Sequence, residues 1–291
     1  MRRFEYIKPT SVQEAVKFLA DHPDEAMVMA GGTALVVMID QGVLRPDYVV
    51  DLGGLSDLQG QDSSNETLHL GALTTVRTLE RDPQIKERFG VLAEAASQVA
   101  SVRIRNVATI GGTVSYGEPQ TDIPAALIAL NATATVVGTE GSRDVAVEDF
   151  FLGPYETVLE PGEIVTRVGV PAPSPRTGGC HMKFTIGSPE NKPVANASVV
   201  LRLDSSGRCE EARIVMGAVG PIPLLATKAA AILKGEVLNE TAFAAAAAKA
   251  AEESDPVDDL RGPAWYKRRI IRVLVERGLT WALSRAAAQS Q

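Results

Sequence analysis

Two glycine pairs carry the first hint of chemistry in this chain. Gly31-Gly32 lies in the run Met29-Ala30-Gly31-Gly32-Thr33-Ala34-Leu35, and Gly111-Gly112 in Thr109-Ile110-Gly111-Gly112-Thr113. Glycine lets the main chain turn sharply and lets its N–H groups approach a phosphate closely. The first pair follows a short apolar stretch and opens a helical one, so a helix N-terminus would add favourable positive charge. The second follows a β-prone stretch, and Thr33, Thr109 and Thr113 add hydroxyl donors. Either pair alone reads as a tight turn as readily as a ligand loop. Their recurrence, with threonines at matching places, points to a split dinucleotide cradle. Neither run has the spacing of a Walker A loop or of the Rossmann fingerprint.

The elements around these loops follow from periodicity. Ser11 and Glu14 form an S-x-x-E capping box, and Val12, Ala15, Val16 and Leu19 then recur at helical spacing. Strands at 26–29 and 47–51 flank a helix at 33–41, giving a short β-α-β unit expected to pair in parallel. From 68 to about 171 the pattern predicts strands at 68–72, 132–137, 145–147 and 163–170. Helices are predicted there at 75–81, 91–102 and 122–130, the last with Pro124 in its first turn. The run 171–179, PAPSPRTGG, is the best linker candidate. Beyond it, 182–186, 197–203 and 211–219 predict a three-stranded antiparallel sheet, followed by helices at 224–233, 240–253 and 263–286. The expected class is α+β. A two-lobed domain over 1–173 (lobes about 1–53 and 54–173) is followed by a C-terminal domain over 177–291.

Composition removes several functions. Of 291 residues, 45% are hydrophobic and 22% charged, enough to bury a core, and the net charge is −7. That balance lacks the basic footprint of a nucleic-acid binder. Met1-Arg2-Arg3-Phe4 lacks the apolar core of a signal peptide, and no run reaches the ~18 apolar residues of a membrane span, so a cytoplasmic location is expected. Cys180 and Cys209 cannot supply the four thiolates of an iron–sulfur cluster. Cys180-His181 are neighbours on a predicted strand and therefore face opposite ways, which argues against a metal site. No catalytic acid, base or nucleophile is assigned.

The full length resembles the flavoprotein (medium) subunit of the molybdenum hydroxylases, the carbon monoxide dehydrogenase and xanthine dehydrogenase family. Phe4-Glu5-Tyr6 and Pro9-Thr10-Ser11-Val12-Gln13-Glu14-Ala15 resemble the family's opening. Ala30-Gly31-Gly32-Thr33 resembles its first FAD loop, and Ile104-Arg105-Asn106-Val107-Ala108-Thr109-Ile110-Gly111-Gly112 its longer second one. The run 261–269 resembles its C-terminal helix signature. This chain departs from the pattern at Thr113, where the family usually has asparagine, and at Ala34, where a polar residue is common. The segment 185–193 also lacks an arginine that many members carry.

The resemblance implies roles position by position. Met29 to Leu35 and Thr109 to Thr113 would wrap the FAD pyrophosphate. Tyr116 and Asp122 would contact the ribityl and adenosine half. For Asp122 a helix N-cap is the competing reading. Ile164 would pack against the isoalloxazine ring. Lys183 matches a position near the flavin, although a lysine on a strand is more often a solvated face. With Thr33 and Ala34 in place of a linking histidine, FAD would be held noncovalently. The implied partners are a large molybdopterin-binding subunit and a small subunit with two [2Fe-2S] clusters, with NAD, a quinone or oxygen as final acceptor. Two other readings remain at this point. One is a self-sufficient FAD oxidoreductase of related fold; the other is a scaffold subunit that has lost FAD.

Overall fold

The computed structural model describes residues 3–63 and 66–288. Met1, Arg2, Ser64, Asn65 and 289–291, which include the ends of the two expected domains, lie outside the described residues. The chain begins with β1 (Glu5–Ile7), α1 (Val12–Asp21), β2 (Ala26–Met29), α2 (Leu35–Asp40) and β3 (Tyr48–Asp51). The three strands pair in the order β1-β3-β2, all parallel. Ser11 caps α1 by accepting the Glu14 N–H at 3.1 Å, while the Glu14 carboxylate closes on the N–H and hydroxyl of Thr10 rather than on Ser11 itself. The apolar face of α1 (Val12, Ala15, Val16, Leu19) is buried with Val50, Leu52, Leu55 and Leu58.

A second lobe follows. Its elements are β4 (Gln61–Ser63), β5 (Thr67–Gly71), α3 (Val76–Arg81), α4 (Pro83–Arg88), α5 (Gly90–Ser97), α6 (Val102–Arg105), α7 (Ile110–Tyr116) and α8 (Ile123–Ala129). Strands β6 (Thr133–Gly138), β7 (Gly141–Ala146), β8 (Phe151–Gly153), β9 (Glu156–Thr157) and β10 (Ile164–Pro171) complete it. The main sheet runs β4-β5-β10-β6-β7 and is antiparallel throughout. The helix predicted over 91–102 is broken in two. Ala100 takes a left-handed φ of 38° between α5 and α6, and Arg105 donates to the carbonyls of Val99 and Ala100 at 2.8 and 2.7 Å, which satisfies the interrupted turn. Strand β7 begins before the predicted 145–147 because its first residues are exposed and polar, with no apolar alternation to read.

The chain then crosses through 172–176, a shorter link than 171–179, since Pro171 ends β10 and Thr177 begins the next strand. The final unit comprises β11 (Thr177–Phe184), β12 (Ala195–Leu203), β13 (Cys209–Gly217), β14 (Leu224–Leu225), α9 (Thr227–Leu233), α10 (Glu240–Glu253) and α11 (Ala264–Ala288). Its antiparallel sheet has four strands, β11-β12-β13-β14, not the three expected. Leu224–Leu225 had been read as the start of a helix. Two apolar residues carry no period, and pairing with Val215 and Met216 decides for the sheet. The buried faces of α9, α10 and α11 share one apolar cluster with β12 and β13.

Candidate functional site

The two glycine loops, distant in sequence, touch in the fold. A β-carbon on Gly31 would stand 1.8 Å from the carbonyl oxygen of Val107 and 3.1 Å from the Ala108 nitrogen, so only glycine permits this approach. Gly32 has φ +69°, the left-handed region that glycine occupies without penalty. Ala30 stands on the far side, its side chain 3.9 Å from a β-carbon placed on Gly112. Strand β2 therefore delivers Met29 and Ala30 to the edge of the second loop. The N–H groups from Gly31 to Leu35 donate no hydrogen bond among the described residues, and this stretch is partly exposed. No side chain caps α2 at Ala34. A run of unspent N–H groups beside a second glycine loop fits an anionic diphosphate.

In the second loop four N–H groups bond within the fold: Ile110 donates to Thr74 O, Gly111 to Ala72 O, Gly112 to Thr109 Oγ1 and Thr113 to Thr109 O, all at 2.9–3.1 Å. The Thr113 hydroxyl donates to Thr109 O at 2.9 Å. The preceding segment is helix α6 rather than a β-prone strand, and Gly111-Gly112 form the first turn of α7 with Thr109 as N-cap. Gly111 is needed for packing, since a β-carbon there would meet the Ala72 β-carbon at 2.5 Å. Thus the first loop keeps unspent N–H groups, and the second, hydrogen-bonded within the fold, stands against it as a wall.

Arg105 holds that wall. It is 9% exposed, and besides the Val99 and Ala100 carbonyls it pairs with Glu80 at 2.8 Å. Glu80 also takes Arg77 at 2.8 Å. Burial raises the Glu80 pKa, but hydrogen bonds from the two arginines outweigh it and hold the carboxyl below its ordinary value. Arg105 carries no expected role in the sequence, where its signal is a basic side chain five residues after the turn at Ala100.

Tyr116 closes α7, about 10 Å along the helix axis from Thr109 at 1.5 Å per residue. Its ring packs 5.2 Å from Tyr155, whose hydroxyl donates to the buried Glu118 at 3.0 Å. Lys192, from the loop after β11, pairs with the same carboxylate. Burial first, then the Glu118 charge, pushes both tyrosine pKa values up.

Asp122 and Lys183, far apart in sequence, form a buried ion pair at 2.9 Å with side chains 3% and 4% exposed. Lys183 is therefore no solvated face; its ammonium also donates to Gln98 O at 2.7 Å. Nor is Asp122 a side-chain N-cap, because its carboxylate makes no bond to the first turn of α8. Its other oxygen lies 3.0 Å from Asn196 Nδ2 and 3.3 Å from His181 Nε2, and His181 Nδ1 meets Ser198 Oγ at 2.8 Å. Burial alone would raise the Asp122 pKa, but the hydrogen bond and charge of His181 and the charge of Lys183 lower it. As strand alternation requires, Cys180 turns the other way and donates to Gly278 O on α11. His181 and Asn196 went unassigned in the sequence, since nothing in their spacing joins β11 and β12 to the start of α8.

Ile164 is 3% exposed and sits in the apolar cluster of the small lobe with Val12, Val16 and Leu19. Its side chain is used in the core, and its backbone lies opposite Val137 in the β10–β6 ladder.

Known proteins match this architecture from end to end. Residues 2–173 match a family model described as the FAD binding domain in molybdopterin dehydrogenase, and 191–282 match the CO dehydrogenase flavoprotein C-terminal domain. The carbon monoxide dehydrogenase medium chain of Hydrogenophaga pseudoflava is 34% identical over 98% of this chain and 99% of its own. The 6-hydroxypseudooxynicotine dehydrogenase complex subunit alpha of Paenarthrobacter nicotinovorans is 32% identical over 97% of this chain and 95% of its own. Among solved structures, reconstituted CO dehydrogenase from Oligotropha carboxidovorans superposes with a TM-score of 0.94 at 32% identity, covering 98% of this chain and 99% of that one. The chain belongs to the FAD-binding flavoprotein subunits of the molybdenum hydroxylase dehydrogenases. No helix among the described residues is long and apolar enough to cross a membrane.

Proposed function

We propose that this chain is the electron-transfer subunit of a molybdenum hydroxylase complex, holding FAD noncovalently between its two glycine loops. The observation that carries this reading is the Gly31–Val107 contact beside a run of unspent N–H groups. Those donors, from Gly31 to Leu35, bind the diphosphate, and the wall of Thr109, Ile110, Gly111, Gly112 and Thr113 fixes its position. Met29, Ala30 and Thr33 border the same opening. Tyr116, Asp122, Lys183 and Ile164 orient the rest of the cofactor. Bound FAD supplies redox chemistry that accepts electrons singly and releases them singly or in pairs. The chain's residues orient the cofactor and exclude water; none is assigned a proton-transfer step.

The partners in this reading are a large molybdopterin-binding subunit and a small subunit with two [2Fe-2S] clusters. The relatives named as medium chain and complex subunit support it. The final acceptor is NAD, a quinone or oxygen. The test is to co-express the three subunits and record the absorption spectrum before and after denaturation. One FAD released per chain, with bound flavin bleaching on reduction of the iron–sulfur centres, supports the assignment. A colourless chain within an assembled complex overturns it.

A further inference from the structure

A cavity of about 470 Å³ lies on the second lobe, lined by Arg77, Glu80, Arg81, Lys86 and Glu94 among others. Its two carboxylates are occupied from inside. Glu80 takes Arg77 and Arg105, while Glu94 takes Arg285 at 2.6 Å and the His181 N–H at 2.9 Å. Arg81 and Lys86 have no acidic partner among the described residues. The cavity is thus cationic in a chain whose net charge is −7.

Arg285 links this cavity to helix α11. From it, residues four apart share one face of the helix: Arg285, Trp281 and Arg277 lie within about 80° of one another at 100° per residue. The Arg285 guanidinium lies 5.7 Å from the Trp281 ring centre, and Trp281 is 56% exposed. Arg277 is exposed and has no acidic partner among the described residues. At 1.5 Å per residue this ridge is about 12 Å long. An exposed tryptophan between two arginines, one of them unpaired, has the composition of an interface centre.

We infer that the cavity and the α11 ridge form one docking surface for an acidic segment of another subunit of the complex. The inference rests on the multi-subunit reading above. Carboxylates of the partner enter the cavity to meet Arg81 and Lys86, and its adjoining surface covers Trp281 and pairs with Arg277. Charge complementarity selects the occupant, since a second copy of this acidic chain would bring the same uncompensated arginines face to face. An extended ridge running out of the cavity exceeds what a small anion would fill.

The test uses the co-expressed complex. R81E/K86E and R277E/W281A variants are compared with the unsubstituted chain by size-exclusion chromatography with light scattering, across a salt series. All four side chains lie at the surface, and melting temperature and FAD per chain serve as folding controls. The expected result is a dissociation constant raised at least about tenfold near 0.15 M salt, with both controls unchanged. A milder R81Q/K86Q pair is expected to fall in between, and covers the case in which charge reversal disturbs folding. Variants that assemble like the unsubstituted chain overturn the inference. So does calorimetric binding of inorganic phosphate that R81Q/K86Q abolishes while assembly is untouched, which would assign the cavity to a small anion. If the unsubstituted chain carries FAD yet no co-expressed subunit accompanies it, the proposed function falls instead.

Discussion

Gly31 rests directly on the main chain of Val107: a β-carbon there would stand 1.8 Å from its carbonyl oxygen. No side-chain rotation relieves such a contact, because both parties are backbone. Gly31→Ala must therefore push the two loops apart. FAD affinity is expected to weaken at least about tenfold, or about 1.4 kcal/mol. Gly54→Ala is the control, since a β-carbon at that position meets nothing within 4 Å. Flavin fluorescence titration of both variants checks the pair; equal affinities would show that the contact does not shape the site.

Arg105 supports the second loop through three interactions, two to carbonyls of the interrupted turn and one to Glu80. Truncating it leaves those carbonyls and part of the Glu80 charge without partners. Removing one member of such a buried pair typically costs about 3–5 kcal/mol. Arg105→Lys keeps the charge but loses the fork that serves carbonyls and carboxylate together. The expected order of melting temperature and FAD affinity is Arg105, then Arg105→Lys, then Arg105→Ala. Lysine behaving as well as arginine would reduce the role to charge alone.

The glycine loops were legible because glycine pairs with flanking threonines mark places where the backbone must come close to something. Which party each loop approaches was not legible. Gly111 serves packing on Ala72, while Gly31 serves the approach to Val107, yet both sit in the same local pattern. Alternation correctly turned Cys180 and His181 apart, since it depends on the strand alone. The burial of Lys183 escaped for the opposite reason: it depends on α8 and β12 arriving beside β11. Two-residue β14 carried too few residues for any period to show.

Asp122 makes stability depend on pH in a definite direction. Its folded-state pKa lies below its ordinary value, so the folded protein binds this proton less readily than the unfolded chain. The stabilisation is present above about pH 4 and is lost as pH falls through the lower, folded-state value. The melting temperature is expected to drop on acidification below about pH 4, and Asp122→Asn to flatten part of that drop. The variant also leaves Lys183 buried without its counter-charge and is expected to be about 3–5 kcal/mol less stable near pH 7. Thermal melts of both proteins across the acid range provide the check. Parallel acid limbs would mean that other carboxylates carry the dependence.

Gly178 is the equivalent close approach in the C-terminal unit, where α11 lies across β11. A β-carbon there would stand 2.2 Å from the Ala282 carbonyl oxygen and 2.3 Å from the Ala286 nitrogen. Helix and strand must separate to admit it, and overpacking of this kind costs about 1–3 kcal/mol. Gly178→Ala is thus expected to lower the melting temperature. The effect on FAD distinguishes two consequences of the same shift. Arg285 donates to Gly179 O and pairs with Glu94, and Glu94 also accepts the His181 N–H, so strain at Gly178 has a short path to His181 and Asp122. Among the described residues no side-chain hydrogen bond or ion pair joins the glycine loops to that crossing, so phosphate binding should survive. A moderate loss of FAD affinity, smaller than that of Gly31→Ala, is therefore expected, measured by the same titration at a temperature where both variants remain folded. A loss as large as that of Gly31→Ala would mean that the C-terminal sheet, rather than the loops, supplies most of the binding energy.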